Sequence, residues 1–339
     1  MTNLLDPAIL FFVFGALAGS VRSNLEIPPA ISRFLSLYLL MALGLKGGFA
    51  LAQSGLTAEV GASLGAAVLL AIMVPLLAYG VLRRLLNGFD AAAVAATYGS
   101  VSAVTFVTAV QYLETQCVPH GGHMAAAMAL MESPAIVMAV LLANRLRYAA
   151  APSVAGAAMQ GVGTLVASMG GSSNGATRLG RILHESFTDG AQLLLLGAMV
   201  VGLLTGDAGK AAMQPFSGDL FKGMLAFFLL DMGLMTARNL PQLKGQSPWL
   251  LAYAVLGPLV HASLALGLAW LLGLGAGNGA LLMVLAASAS YIAVPAVLRY
   301  AVPEANPSLY FSLSLGVTFP LNIIAGIALY AAAAQAVLG

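Results

Sequence analysis

Two stretches of this chain place small and hydroxyl residues inside otherwise apolar segments: Tyr98-Gly-Ser-Val-Ser-Ala103 and Ala287-Ser-Ala-Ser-Tyr-Ile292. A helix interrupted at such a stretch releases backbone N–H groups, and its second half restarts near Ser102 or Ser290 with the positive end of its dipole inside the membrane. Two such ends make an anion site that needs no buried Lys or Arg. Gly99, Ser100, Val101, Ser102 and Thr105 from the first stretch, with Ser288, Ala289, Ser290 and Tyr291 from the second, are the candidate anion-binding residues. The competing reading is close helix packing, for which membrane helices commonly use small residues. A matched pair of interrupted segments in two halves of a chain favours a transport site near the bilayer midplane.

Two acids fall inside apolar runs: Glu132, beside Pro134, and Asp231. A carboxylate at mid-membrane costs about 3 kcal/mol even on lenient insertion scales, so it needs a partner. A bound cation is one, because hard cations such as Na⁺ take carboxylate, hydroxyl and released backbone carbonyl oxygens. Glu132, Asp231, Thr318, Asn322 and Ser102 are the candidate sodium ligands; the alternative is a structural hydrogen bond or a silent, protonated acid. No transition-metal site is expected. Cys117 is the single cysteine, which excludes an internal disulfide and a cysteine-based metal site. His120 and His123 form an H-x-x-H in a non-helical Pro-His-Gly-Gly-His order without a third ligand, and read as loop residues. Lys46, followed by Gly47 and Gly48, either lines an entrance or snorkels to the surface. Gly163, Gly170, Gly171 and Gly175 match no phosphate-binding spacing, and His184, Asp189 and Gln192 read as interfacial.

The elements that must carry these residues are membrane helices. The chain is 60% hydrophobic and only 8% charged, with a mean hydropathy of +0.94. Apolar runs of about 20 residues recur along its length, enough to cross a hydrocarbon layer about 30 Å thick. The formal charge of +2 does not suggest nucleic acid as a partner; lipid is the partner this surface needs. About ten spans are expected, at 7–22, 33–53, 59–85, 89–113, 123–145, 182–206, 216–237, 249–273, 277–300 and 307–336. The start of the chain has no basic region or cleavage site, so the first run is expected to remain as a span.

Loop charge sets the orientation. With the N-terminus outside, the cytoplasmic connections hold eleven basic residues, among them Arg83, Arg84, Arg145, Arg147 and Arg238, whereas the outer side keeps Lys210 and Lys222, with Lys46 in or near the second span. Both termini are then external. The two halves also resemble one another. Phe14-Gly-Ala-Leu-Ala-Gly19 resembles Leu196-Gly-Ala-Met-Val-Val201, and Tyr38 to Leu45 resembles Phe227 to Leu234. Pro134 matches Pro320, while Ser100, Ser102 and Tyr112 fall on Ser288, Ser290 and Tyr300 by one constant offset. With five spans each, the halves must be inverted relative to one another, an architecture that supports alternating access. The expected fold is thus all-α and polytopic: a first five-helix repeat over 1–145, a cytoplasmic connector over 146–181 and an inverted repeat over 182–339, with the broken fourth and ninth spans crossing at mid-membrane.

Across these residues the sequence resembles the sodium-dependent bicarbonate transporter superfamily, the group containing the cyanobacterial bicarbonate permeases. The resemblance is carried by Phe34 to Gly48, Tyr98-Gly-Ser-Val-Ser-Ala-Val-Thr-Phe106, Met131-Glu-Ser-Pro134, Leu230-Asp-Met-Gly-Leu234, Ser288-Ala-Ser-Tyr-Ile-Ala-Val-Pro295, Pro303 to Leu309 and Phe319-Pro-Leu-Asn322, in order along the whole chain. It implies Na⁺-coupled uptake of bicarbonate by a homotrimer in the bacterial cytoplasmic membrane. It further implies a core domain moving against a gate domain, with bicarbonate between the crossed fourth and ninth spans. A trimeric PII-like regulator on the cytoplasmic face is a further implied partner. Asp231 stands where relatives favour a glutamate, and the connector is short and poor in charge. The alternatives are another small anion or an organic acid on the same scaffold, or an uncoupled channel. No nucleophile–base pair supports an enzyme.

Overall fold

The computed structural model describes residues 6–55, 57–150 and 190–339, and every regular element in it is helical. Most of the expected connector lies outside the described residues, with Gly163, Gly170, Gly171, Gly175, Arg178, Arg181, His184, Asp189 and the Gln192 side chain. The helices are α1 (Pro7–Ser20), α2 (Pro29–Ser54), α3 (Ala58–Leu82), α4 (Gly88–Gly99), α5 (Ala103–Thr115), α6 (Met124–Ala150), α7 (Gly190–Gln214) and α8 (Phe221–Asn239). They continue with α9 (Pro248–Leu271), α10 (Ala276–Ala287), α11 (Ala293–Ala301), α12 (Pro307–Leu313), α13 (Phe319–Leu321) and α14 (Ile327–Leu338).

Local chemistry sets where these helices start. Asp6 caps α1 by accepting from the Ala8 amide at 2.8 Å, and Asn87 caps α4 by accepting from the Asp90 amide at 2.9 Å. Prolines open α1, α2, α9 and α12, where the missing N–H is no loss. Inside a helix a proline does remove a hydrogen bond. Pro320 lies in α13 between two π turns, Ser314–Thr318 and Asn322–Gly326, which absorb the register change within a run that stays helical from Pro307 to Leu338.

Seven helical runs among the described residues are long and apolar enough to cross a membrane. The expected count was about ten, and the difference has three sources. One run, Leu193–Leu243, joins two expected spans through the π turn Pro215–Asp219. The expected span 277–300 is split into α10 and α11. At 14 residues, α1 is about 21 Å long, short of the hydrocarbon thickness. The chain is a multi-pass helical membrane protein.

Two groups of helices can be distinguished by their packing. In one, α1 lies along α8 and α2 along α7. These backbones nearly touch: a Cβ on Gly15 would sit 2.2 Å from the Leu230 carbonyl oxygen, and one on Gly48 would sit 2.1 Å from that of Met199. Such approach is how membrane helices gain contact where lipid gives no hydrophobic drive. In the other group, α3 packs on α4 and α6, and α10 packs on α9 and α14. The interrupted run Gly88–Thr115 is the innermost: 94% of its most apolar window is buried, against 39% for Pro248–Leu271 and 33% for Pro307–Leu338. Non-helical backbone at membrane depth is tolerated only where protein encloses it or it lines a cavity, and the breaks lie in that interior.

Candidate functional site: two helix breaks around one small cavity

The first break begins where α4 stops at Gly99, whose missing side chain leaves room for Pro75 of α3; a Cβ there would lie 2.6 Å from the proline ring. Ser100 and Ser102 are extended, with ψ of −178° and 110°, so the helix cannot continue through them. Ser102 then caps α5, its Oγ accepting from the Thr105 amide at 3.2 Å and the Thr105 hydroxyl at 2.9 Å. With two donors on its oxygen, the Ser102 hydroxyl proton is left to donate elsewhere. In the second break, Ser288 ends α10 with ψ of 165°, and Ser290 Oγ accepts from the Val294 amide of α11 at 3.2 Å.

The two breaks bind each other. The Ser102 amide donates to Ser288 Oγ at 3.0 Å, and the Ser290 amide donates to the Thr97 carbonyl at 2.9 Å. Ser100, Ser102, Thr105, Ser288 and Ser290 are all buried. Ser100 Oγ has no hydrogen-bond partner among the described residues.

Beside this crossing lies a cavity of about 130 Å³. Its wall holds Val101, Ser102, Ala103 and Val104 at the start of α5, Ser290, Tyr291, Ile292 and Ala293 at the start of α11, Glu132 of α6, and Ser36 and Leu40 of α2. The amides of Ala103, Val104, Tyr291, Ile292 and Ala293 donate to no protein group among the described residues. These are the orphan donors that every helix start leaves. No Lys, Arg or His lines the cavity. A liquid water occupies roughly 30 Å³, so the space suits a few heavy atoms.

Of the sequence-predicted residues, Val101, Ser102, Ser290, Tyr291 and Glu132 therefore share one cavity. Gly99, Ser100, Thr105, Ser288 and Ala289 build the crossing behind it. The other three candidate sodium ligands are placed elsewhere. Thr318 Oγ1 donates to the Ala254 carbonyl at 2.8 Å and meets the Tyr98 hydroxyl at 2.7 Å. Asn322 donates to the Ala287 carbonyl at the end of α10, at 2.9 Å, and accepts from the Tyr330 hydroxyl at 2.9 Å. Asp231 is buried and accepts a hydrogen bond from the Ser32 hydroxyl of α2. Ser36, which also lines the small cavity, is not among the residues the sequence singled out. Its signal was the one used at Ser100 and Ser102, a lone hydroxyl in an apolar run, without a repeat partner to mark it.

A second, larger cavity of about 700 Å³ continues along the same helices. It is lined by Leu43, Lys46 and Gly47 of α2, by Phe106, Val110 and Glu114 of α5, and by Lys210 and Lys222. Lys46 pairs with Glu114 at 3.0 Å, across from α2 to α5, and its ammonium lies 4.2 Å from the centre of the Phe221 ring. Leu43 and Phe106, 3% and 1% exposed, line this cavity and stand three and two residues along α2 and α5 from Leu40 and Val104 of the small one. His120 borders this vestibule, whereas buried His123 opens α6 near Glu59, and Gly121 between them donates to Asn278 at 2.7 Å.

Comparison with known proteins points the same way. No curated protein matches the chain. A family model described as the Na⁺-dependent bicarbonate transporter superfamily matches residues 7–335, and the chain belongs to that superfamily.

Proposed function

We propose that the protein is a Na⁺-coupled symporter that imports bicarbonate by alternating access, with the anion held at the starts of α5 and α11 and Na⁺ at Glu132. One observation carries this reading: two helix starts and one acidic residue, Glu132, line the same small cavity, which no basic side chain lines. Each helix start is equivalent to about half an elementary positive charge, so the two together balance a monoanion and leave a dianion uncompensated. Free amides at the two helix starts supply donors for bicarbonate's oxygens. Glu132 adds carboxylate oxygens to the same wall, the kind of ligand a hard cation takes. A cation at this wall and an anion at the helix starts would attract one another across the cavity, which is a physical basis for coupling.

The packing supports an inverted repeat as well. The first helix of each half lies on the second helix of the other, α1 on α8 and α7 on α2, as a two-fold relation between the halves requires. Under the orientation set by loop charge, Lys46, Lys210 and Lys222 put the vestibule on the outside. Leu43 and Phe106 then act as the plug between the external vestibule and the site. The size of the inner cavity supports a small anion over an organic acid.

The test is uptake of labelled bicarbonate into proteoliposomes with and without an inward Na⁺ gradient. Uptake is expected to require the gradient in the wild type and to lose it in Glu132→Gln. Equal flux without Na⁺ would leave an uncoupled channel as the better reading.

A further inference from the structure

We infer that Ser36 on α2 supplies an oxygen ligand to the transported Na⁺, so that the cation site is shared between the two groups of helices. The inference rests on the reading above that Na⁺ sits at Glu132. Four hydroxyl residues line the small cavity: Ser36, Ser102, Ser290 and Tyr291. Three are committed. Ser102 Oγ accepts two hydrogen bonds, Ser290 Oγ accepts from the Val294 amide, and the Tyr291 hydroxyl donates to Met232 Sδ at 3.6 Å. Ser36 alone makes no side-chain hydrogen bond among the described residues, although it is partly buried in an apolar wall.

The position of Ser36 gives this oxygen its consequence. It stands on α2, which is held against α7 by the backbone contact at Gly48, whereas Glu132 stands on α6, which packs mainly on α3 and α4. The cavity lies between these helices. A cation needs several hard oxygen ligands, and a carboxylate residue and a hydroxyl residue lining one small space begin such a set. Na⁺ held by Ser36 and Glu132 would tie α2 to the helices that carry the anion site. A loaded carrier would then differ from an empty one in the contact between the two groups, where an alternating-access transporter has to move.

The test compares full-length wild type with Ser36→Ala, Ser36→Cys and Ser36→Thr in proteoliposomes, varying Na⁺ at fixed bicarbonate and then bicarbonate at saturating Na⁺. The loss of one ligand in Ser36→Ala is expected to raise the half-saturating Na⁺ concentration about tenfold, equivalent to about 1.4 kcal/mol. Half-saturation by bicarbonate at saturating Na⁺ should not change. Ser36→Cys keeps the packing but offers a soft sulfur, and should behave like Ser36→Ala; Ser36→Thr should retain wild-type Na⁺ dependence. The inference is overturned if Ser36→Cys keeps the wild-type Na⁺ curve, if Ser36→Thr is as impaired as Ser36→Ala, or if the bicarbonate curve shifts instead. A wild-type protein indifferent to Na⁺ would instead defeat the underlying reading, and the same data distinguish that case.

Discussion

The backbone amide of Ser102 donates to the side-chain oxygen of Ser288, 3.0 Å away in the opposite half of the chain. Ser290 returns the bond through its own amide to the Thr97 carbonyl. Each break thus satisfies part of the other's exposed backbone, and the remaining amides turn to the cavity. Ser288→Ala removes the acceptor and leaves the Ser102 amide buried without a partner, at a cost of about 1–3 kcal/mol. A lowered melting temperature of the purified protein, with reduced uptake, is the expected result.

Ser102→Ala and Ser290→Ala act differently. Each removes a helix cap worth about 1 kcal/mol and one hydroxyl from the cavity wall. The proteins should fold, with a melting temperature only a few degrees lower, yet bicarbonate uptake should fall about tenfold or more at subsaturating substrate. Unchanged uptake in both variants would remove the crossing as the anion site.

Phe106 lines the vestibule two residues along α5 from Val104 of the small cavity. Phe106→Ala should open a path between the two and allow bicarbonate to leak down its own gradient without Na⁺. Efflux from preloaded proteoliposomes in Na⁺-free buffer measures this directly. If the variant leaks no faster than wild type, the plug is elsewhere.

The Lys46–Glu114 pair is partly exposed, with side chains 23% and 34% accessible, and is screened accordingly. Lys46→Ala should cost stability less than about 1 kcal/mol. Any effect on uptake should appear as a higher half-saturation for bicarbonate that disappears in high salt, because the lysine's role in the vestibule is long-range attraction. A salt-independent loss of maximal rate would instead make the pair a structural strut.

His123 gives the protein a pH-dependent term. Its ring is buried and its Nε2 has no partner among the described residues; burial holds its pKa below the ordinary 6.5, against the opposing pull of Glu59. As pH falls below that ordinary value, the unfolded imidazole takes up a proton that the folded one resists, so stability falls with pH. The melting temperature should drop between about pH 7.5 and about pH 5.5, and His123→Gln should flatten that slope.

The sequence by itself determined the class of fold, because apolar runs of membrane length have few other fates. It also located both breaks: Gly99, Ser100 and Ser102 are where the first helix stops and restarts, and Ser288 is where the second stops, although its restart comes at Ala293 rather than at Ser290. It marked Glu132 because an acid in an apolar run is costly whatever surrounds it. Only the tertiary structure decided which of the polar residues share a space. Thr318 and Asn322 are candidate ligands in one dimension; in the fold their side chains bond to Ala254, Tyr98, Ala287 and Tyr330, away from the cavity that Glu132 lines. Asp231 is turned to Ser32. Ser36 carried no repeat partner and no charge, and its place in the same cavity wall as Glu132 depends on how α2 packs on α7 and α6. Periodicity and burial cost are local properties that a sequence writes out; the meeting of side chains from different helices depends on packing angles and rotations that it does not.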